Sequence, residues 1–294
     1  MEMNRLLQLA LTLSISAFSQ TSVQDLLEKR TLKQIEAVAS ALDGILGFAA
    51  IDLTTGHIIS LNGNTVFPQA SSIKIPIMIQ VFRDLRQGKL KMDQAIPIAP
   101  AEVVESSQQF ENAAKSTGKM TVRELVEAMI IASDNAATNK LIQLVGMANI
   151  NRSSEALQLR QTRLQRKMID VAAAARNEEN VSTPLEMATL AAKLYRGEVV
   201  DKAASAQMLE IMSRVKDDMR AAIPPTIRVA AKPGQLTGVL CETGVVYLDK
   251  RPFALSVAGT FLALDKSPVP DVTKIIFHHF EMIARSNKFG RGLQ

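Results

Sequence analysis

Residues 118–140 read GKMTVRELVEAMIIASDNAATNK and contain the most informative helix and turn of the chain. Apolar residues recur at helical intervals in the first half of this stretch and predict a helix over 121–132. The helix leads directly into Ser133-Asp134-Asn135, which places a hydroxyl, a carboxylate and an amide on consecutive residues. Ser133 and Asn135 are therefore either the polar end of a helix or functional residues.

Outward from this stretch, helical patterns fill the middle of the chain and strand patterns lie towards both ends. The arrangement predicts an α+β fold of two lobes, with an antiparallel sheet built from both termini and an all-helical lobe between them. A ligand site is expected in the cleft where the lobes meet. The predicted helices are 24–42, 75–86, 121–132, 136–145, 184–196, 203–215 and 272–284, and the predicted strands are 45–53, 57–61, 227–232, 242–248 and 253–258. The weakly periodic stretch 151–180 is predicted to be a functional surface loop.

The first residues have the pattern of an export signal. A short polar start is followed by a mostly apolar run over 6–18, and the small residues Ala17 and Ser19 precede a cleavage point before Gln20. The apolar run is shorter than the ~20 residues that a membrane-spanning helix needs. We expect a signal peptide at 1–19, no stable membrane anchor, and a periplasmic or secreted protein; the alternative is an ordinary buried helix.

Composition excludes several classes of function. The chain has 294 residues, 47% hydrophobic and 21% charged, which is typical of a globular protein. A single cysteine, Cys241, rules out a disulfide framework and a four-cysteine zinc site, and His278 and His279 lack the spacing of a zinc-binding helix. The formal net charge of +5 comes with scattered basic residues and only 4% aromatic residues. We therefore expect no metal, no other cofactor and no nucleic-acid partner, and we expect a monomer.

The motif Ser71-Ser72-Ile73-Lys74 has the form Ser-x-x-Lys and precedes an apolar helical run. Ser71 should lie at a helix N-terminus, where free N–H groups and the helix dipole favour a developing anion. Lys74 follows one turn later on the same face, and burial near another cation would lower its pKa enough to accept the serine proton. Alone the motif is weak, because the same spacing occurs twice elsewhere and a helix cap beside a solvated lysine would look the same.

Three motifs in a fixed order strengthen this interpretation. Ser-x-x-Lys at Ser71 is followed by Ser-Asp-Asn at Ser133 and by Lys232-Pro233-Gly234 at the end of a predicted strand. The order matches the Ser-x-x-Lys, Ser-Asp-Asn and Lys-Thr-Gly motifs of penicillin-recognising serine enzymes. From about residue 24 to the C-terminus the chain resembles the class A β-lactamases. Residues 118–140 resemble the helix that leads into the family's Ser-Asp-Asn turn, 162–166 resemble the start of its omega loop, and 182–187 resemble the end of that loop.

The resemblance implies one catalytic domain over 20–294, with an α/β lobe at about 20–70 and 221–294 and a helical lobe at about 71–220. It assigns the acylated nucleophile to Ser71 and its basic neighbour to Lys74. Ser133 would pass a proton to the leaving nitrogen. Lys232 would polarise that hydroxyl and attract the carboxylate of the substrate. Asp134 is interpreted as structural, bracing the turn.

Substrate-binding roles are implied for three further residues. Asn135 would hold the side-chain amide of the substrate. Gly234 and Gln235 follow Lys232 on the strand, and the backbone N–H groups of Ser71 and Gln235 would form the oxyanion hole. Such donors accelerate the reaction because they point to where charge appears only in the transition state.

The omega loop departs from the family pattern. The deacylating glutamate of the family aligns with Met168, and the asparagine four residues later aligns with Ala172. Methionine cannot activate water, so we expect atypical or slow deacylation. Asp170 is the possible alternative base, and Glu178 and Glu179 are more remote candidates. The loop's usual arginine–aspartate pair is also altered, because Arg166 would face Asn180, and a hydrogen bond to the uncharged amide would replace the stronger pairing with a carboxylate.

The carboxylate-binding motif departs as well. Pro233 replaces the threonine whose hydroxyl contacts the substrate carboxylate in the family, and proline is acceptable only at a sheet edge. No arginine follows the motif closely, and the possible replacements are Arg220 and Arg228.

The combined pattern predicts a serine β-lactamase-like hydrolase that opens β-lactam amides through an acyl-serine intermediate. Its partner would be a small-molecule β-lactam or a cell-wall peptide. Two alternatives remain open: a serine peptidase or transferase that acts on cell-wall peptides, and a non-catalytic domain that traps or senses β-lactams or peptidoglycan.

Overall fold

The computed structural model describes residues 21–263 and 266–293. The proposed signal peptide lies outside the described residues. The helices are α1 (Val23–Ser40), α2 (Lys74–Arg86), α3 (Gln108–Ser116), α4 (Val122–Ile131), α5 (Asn135–Val145), α6 (Met147–Ala156), α7 (Val171–Ala175), α8 (Pro184–Arg196), α9 (Lys202–Ser213), α10 (Asp218–Ala221) and α11 (Val269–Ala284). The strands are β1 (Ile45–Asp52), β2 (Ile58–Leu61), β3 (Phe67–Pro68), β4 (Ala95–Pro97), β5 (Lys119–Thr121), β6 (Val181–Ser182), β7 (Val229–Leu236), β8 (Val239–Val246) and β9 (Phe253–Thr260).

The main sheet has five strands in the order β2-β1-β9-β8-β7, and every neighbouring pair is antiparallel. Strand β1 pairs with β9 along its whole length, so that Asp52 lies opposite Phe253. The prediction of an α+β fold with a sheet built from both termini is confirmed. Strand β7 is an edge of the sheet, which is where a proline such as Pro233 is tolerated.

Successive strand residues point to opposite faces of the sheet, and both faces are covered by helices. Ala50 belongs to a core with α1 and α11, in which the rings of Phe253 and Phe280 stack with centroids 4.8 Å apart. Its neighbour Ala49 belongs to the core of the helical lobe on the other face. Helix α8 packs against β1 and β9 on that face and connects the sheet with the helical lobe.

Helix α2 lies at the centre of the helical lobe, with most of its side chains buried. The predicted helices are all present, whereas α3, α6 and the very short α7 and α10 were not predicted. The sequences of α3 and α6, QQFENAAKS and MANINRSSEA, are short and bury only two and three residues. The predicted loop over 151–180 was therefore wrong in its first part, where α6 continues to Ala156.

The Lys-Pro-Gly motif lies inside β7 and not at the end of a strand. Strands β7 and β8 remain paired from Val229 opposite Val246 to Leu236 opposite Val239. They are joined at a tight turn where Gly238 has φ +72°, a conformation that suits glycine. Strand β7 extends four residues beyond its predicted end at 232, because residues 233–236 pair with β8. Apolar and polar side chains do not alternate in 233–236, so the sequence did not predict this part of the strand.

Within residues 21–263 and 266–293, no helix combines the length and the apolar character needed to cross a membrane. In the same ranges, no group of three or more His, Cys, Asp or Glu side chains is arranged to hold a metal ion.

Candidate active site

Ser71 lies in a short 3₁₀ turn, Ala70–Ile73, that runs directly into α2. The turn is fastened to β7 from two sides. The Ser72 hydroxyl donates a hydrogen bond of 2.9 Å to the carbonyl of Lys232. Gly234 approaches so closely that a Cβ atom there would lie 2.7 Å from the backbone nitrogen of Ser71. The predicted position of Ser71 at a helix start is confirmed, and its backbone N–H is next to the sheet edge.

Lys74 is completely buried at the first residue of α2. Its Nζ lies 2.7 Å from the Ser133 carbonyl oxygen, 3.1 Å from Ser133 Oγ and 2.9 Å from Asn135 Oδ1. Burial, and then the positive charge of Lys232, hold the pKa of Lys74 well below the usual value of a lysine. Both effects favour the neutral amine of Lys74, which is the form that can accept a proton.

Ser133 connects α4 with α5 in a left-handed backbone conformation, φ +56°. Asp134 fixes this turn: one carboxylate oxygen accepts the Ala137 N–H of α5 at 2.9 Å, and the other accepts the Phe110 N–H at 3.0 Å. The interpretation of Asp134 as a structural brace is confirmed. The brace holds the Ser133 hydroxyl towards the two lysines.

Lys232 is 1% exposed and extends from β7 to donate a 2.9 Å hydrogen bond to Ser133 Oγ. Burial lowers the pKa of Lys232 to about 8, while Cys241, Glu242 and Asp217 act in the opposite direction. Ser133 Oγ therefore lies within hydrogen-bond distance of both Lys232 Nζ and Lys74 Nζ.

These side chains meet in a cleft of about 440 Å³ between the sheet edge and the helical lobe. The predicted residues that line it are Ser71, Ser133, Asn135, Lys232, Gly234 and Gln235, and Lys74 lies beneath them. Further lining residues were not predicted, among them Ser106, Lys216, Asp217, Asp218 and Glu242. A signal existed for one of them, because Glu242 is a charged residue within the otherwise uncharged strand VLCETGVV.

The loop between α6 and α8 holds Met168 at the side of α5. The Asn139 amide bonds to both the backbone N–H and the carbonyl of Met168, at 2.8 and 3.1 Å. The Met168 side chain is buried in the core of the helical lobe. Asp170 caps α7 by accepting the Ala173 N–H at 2.9 Å, and Ala172 is exposed. Asp170 is not among the described residues that line the cleft.

The expected replacement of the loop's ion pair by a neutral hydrogen bond was wrong. Arg166 pairs with Glu179, one residue before the expected position, with nitrogen and oxygen 2.7 Å apart. Asn180 instead accepts the backbone N–H groups of Gln165 and Arg166 and donates to the carbonyl of Arg166. The charge-assisted contact is retained because the adjacent glutamate reaches the same guanidinium. Glu178 pairs with Arg176 on the loop surface.

Neither arginine suggested for carboxylate binding is among the described residues that line the cleft. Arg220 donates to the carbonyls of Ser213 and Val229, at 2.7 and 2.6 Å. Arg228 pairs with Glu210 and stacks over the Tyr247 ring. Lys216 is the additional cation that lines the cleft.

A serine at a helix start, next to a buried lysine with a lowered pKa and across from a Ser-Asp-Asn turn, defines a serine hydrolase of the class A β-lactamase type. Residues 30–266 match the model of the beta-lactamase enzyme family, and the chain belongs to this family.

Comparisons with individual proteins agree with this assignment. The chain is 30% identical to the β-lactamase AST-1 of Nocardia asteroides over 230 residues, which cover 76% of this chain and 74% of that protein. It is 27% identical to a β-lactamase of Rhodobacter capsulatus over 210 residues, 70% of this chain and 69% of that protein. A solved structure of a variant of the last common ancestor of Gram-negative bacteria class A β-lactamase superposes with a TM-score of 0.79 at 27% identity, covering 85% and 97% of the two chains.

Proposed function

We propose that this protein opens β-lactam amides by acylation of Ser71 and releases the acyl group slowly. The observation that carries the acylation half is the position of Ser133 Oγ, 3.1 Å from Lys74 Nζ and 2.9 Å from Lys232 Nζ. A hydroxyl between a neutral amine and an ammonium group can pass a proton in one direction and receive another.

We propose the following proton transfers during acylation. The amine of Lys74 takes the proton of the Ser71 hydroxyl while Oγ forms a bond to the lactam carbonyl carbon. As the C–N bond breaks, Ser133 gives its proton to the leaving nitrogen and Lys74 returns the proton to Ser133. The backbone N–H groups of Ser71 and Gln235 bind the carbonyl oxygen while it carries negative charge.

Slow release of the acyl group is proposed because the loop supplies no visible base. Met168 is buried in the core, and Asp170 is engaged as the cap of α7. Among the described residues of 162–180, no carboxylate lines the cleft. General-base assistance contributes about 10²- to 10⁴-fold to such a step, so turnover should lag behind acylation by about that factor.

The test is the intact mass of the protein followed over time after mixing with penicillin G. We expect one added acyl group per chain, lost slowly, and no addition to the Ser71→Ala variant, whose fold should persist because the turn is fastened through the Ser72 hydroxyl and not through the Ser71 side chain. Labelling that persists in Ser71→Ala would contradict the nucleophile. Rapid steady turnover would contradict slow release, and release of D-alanine from a cell-wall peptide would favour the peptidase alternative.

We also propose that the mature protein acts in the periplasm or outside the cell. The polar start, the apolar run over 6–18 and the small residues before Gln20 support this proposal. N-terminal sequencing of the protein from its native host should yield Gln20 as the first residue. Recovery from the cytosol with Met1 retained would overturn it.

A further inference from the structure

A second cavity, of about 350 Å³, lies between the end of α8, one face of α9, the start of β7 and the end of β8. Strand β7 begins one residue after Arg228, and β8 ends one residue before Tyr247. The Tyr247 backbone N–H donates to the Arg228 carbonyl at 3.0 Å, and both side chains line the cavity. None of the described residues that line this cavity also lines the catalytic cleft, so it is a separate place on the molecule.

The aromatic part of the cavity consists of the two tyrosines of the chain, which has no tryptophan. The rings of Tyr195 and Tyr247 are tilted by 54° with centroids 5.8 Å apart, which is typical of an aromatic pair. Tyr195 keeps 37% of its surface exposed. A planar ring that enters the cavity therefore has an aromatic surface to pack against.

Three cations line the same cavity, on α8, on α9 and before β7: Arg196, Lys202 and Arg228. Arg228 lies over the Tyr247 ring, with its Cζ 4.7 Å from the ring centre, and pairs with Glu210 at 3.0 Å. Arg196 and Lys202 are exposed, and neither forms an ion pair with a described residue. No acidic side chain is among the described residues that line the cavity. The cavity therefore attracts an anion.

The connection between α8 and α9 brings two of these cations to one rim. Helix α8 ends at Gly197 with φ +76°, and a Cβ atom there would lie 2.7 Å from Cγ of Lys202. The stem of Lys202 thus packs against the turn that follows Arg196. The neighbouring carboxylate, Asp201, accepts an N–H of α9 and pairs with Arg86 at 3.1 Å. Its charge is directed to Arg86 on the other side of the turn, and the two cations of the rim remain for a ligand.

We propose that this cavity binds a small aromatic carboxylic acid. The ring packs against Tyr195 and Tyr247, and the carboxylate pairs with Arg196 and Lys202 at the rim. A guanidinium fork matches the two oxygens of a carboxylate, and an ammonium adds a point charge. The volume of about 350 Å³ lies within the ~300–1,000 Å³ that is usual for small-molecule sites. The inference is independent of the proposed acylation of Ser71.

The experiment measures the binding of 4-fluorobenzoate by ¹⁹F NMR. Two probes separate the contributions: 4-fluorobenzyl alcohol has the ring without the charge, and trifluoroacetate has the charge without the ring. We expect the Kd of 4-fluorobenzoate to be at least about tenfold lower than that of either comparison probe. Arg196→Gln/Lys202→Gln should raise this Kd by about tenfold and Tyr195→Leu by about threefold. Lys193→Gln, which removes a cation of the same helix end outside the cavity, is the matched control and should leave it unchanged.

Tyrosine labelled with ¹³C gives signals from Tyr195 and Tyr247 alone, because the chain has no other tyrosine. These ring signals should shift when 4-fluorobenzoate binds, and they report whether each variant is folded. Unshifted ring signals would place the probe elsewhere, the catalytic cleft included, and overturn the inference. Equal affinity for 4-fluorobenzoate and trifluoroacetate, an unchanged Kd in Arg196→Gln/Lys202→Gln, or no binding of 4-fluorobenzoate would overturn it as well. Ser71→Ala should bind 4-fluorobenzoate as the wild-type protein does, so a failure of the proposed function would be distinguished from a failure of this inference.

Discussion

Ser133 reaches both lysines because its backbone is left-handed, at φ +56°. Ala70, immediately before the nucleophile, is also left-handed at φ +41°. Neither residue is a glycine, and such a conformation costs a non-glycine residue about 1–2 kcal/mol. The cost persists only where surrounding contacts fix the backbone, and Asp134 on one side and β7 on the other provide those contacts. The two turns that carry the hydroxyls are therefore held by their neighbours and not by local preference.

The pH dependence of acylation should report the two lysines. Below its lowered pKa, Lys74 is protonated and cannot accept the Ser71 proton, so the rate should rise as the pH increases through that value. Above about pH 8, Lys232 loses the proton that polarises Ser133, and the rate should fall. Labelling rates between pH 5 and 10 would give a bell-shaped profile. Lys216→Met removes an exposed lysine of the same cleft and should keep the fall in rate above pH 8. If this fall disappears in Lys216→Met, its assignment to Lys232 is wrong.

Restoring a carboxylate in the loop should speed release of the acyl group. Met168→Glu combined with Ala172→Asn is expected to raise deacylation by up to about 10²- to 10⁴-fold and acylation much less. Met168→Gln with Ala172→Asn is the matched control, since it has the same shape and no base. Decay of the acyl-enzyme measured by mass separates the steps.

The same decay measurement tests the competing base. Asp170→Asn should leave deacylation unchanged, because asparagine caps a helix about as well as aspartate does and the side chain is engaged by Ala173. A large slowing in this variant would instead assign the base to Asp170.

Sequence reasoning proposed the residues of the cleft that belong to linear motifs. Ser71 and Lys74 are one helical turn apart, so their proximity follows from the spacing alone. Asp217 and Glu242 escaped prediction because they come together only when α10 packs beside β8. Glu179 was misjudged for a related reason, since a flexible side chain can occupy the site of its neighbour.

At the scale of elements, the contact between β7 and the 3₁₀ turn that contains Ser71 leaves the least space for a larger side chain. Gly234→Ala would place a Cβ atom 2.7 Å from the Ser71 nitrogen and 2.8 Å from the Gln69 carbonyl oxygen, and both are backbone atoms. The turn must shift, and misplacement of reacting groups by about 1 Å can cost roughly 100-fold in rate. We expect such a loss in acylation by penicillin G. Gly292→Ala, where a new Cβ has no neighbour within 4 Å, should acylate normally.

The packing of α1 against α11 should make stability depend on pH. His279 is buried there, and the Thr31 hydroxyl, which donates to the Leu27 carbonyl, lies 2.9 Å from its Nδ1. Burial lowers the pKa of His279 to about 4, with smaller effects of Glu28, His57 and Asp52. The unfolded chain takes up the proton near its ordinary pKa of ~6.5, before the folded protein does. Stability is therefore fully present above pH 6.5 and falls as the pH drops towards 4, by up to about 3 kcal/mol.

Urea unfolding at a series of pH values would measure this loss. In His279→Gln the dependence between pH 6.5 and 4 should flatten, although the variant is less stable at neutral pH because a buried contact changes. His278→Gln alters the adjacent, exposed histidine and should keep the wild-type slope. Equal slopes in all three proteins would contradict the assignment to His279.

The elements themselves were predictable where periodicity is strong. The apolar spacing of α2 and α4 marks them clearly, because both bury one side or more in the core. Helix α3 has only nine residues, and its buried face consists of Phe110 and Ala114, which is too short an apolar pattern to identify a helix in the sequence. The end of β7 depends on its partner strand, which no local signal reveals.

At the scale of the whole molecule, the α+β class followed from the positions of the strands, but their order did not. Strand β1 could have paired with any of the C-terminal strands, and alternation of side chains is the same for each choice. The observed neighbour is β9, the last strand, which completes a sheet with α1 and α11 on one face and the helical lobe on the other.

The pairing of β1 with β9 has a consequence for the time at which the protein becomes active during synthesis. About 200 residues separate Asp52 from its partner Phe253, and a ribosome adds about 5–20 residues per second. Roughly 10–40 s therefore pass between the synthesis of β1 and the synthesis of β9. The wall formed by β7 and β8 depends on the same late strand. An unfinished chain that stops before β9 already contains Ser71 and Lys74 but has no complete sheet beside them, so the cleft can form only after β9 has been synthesised.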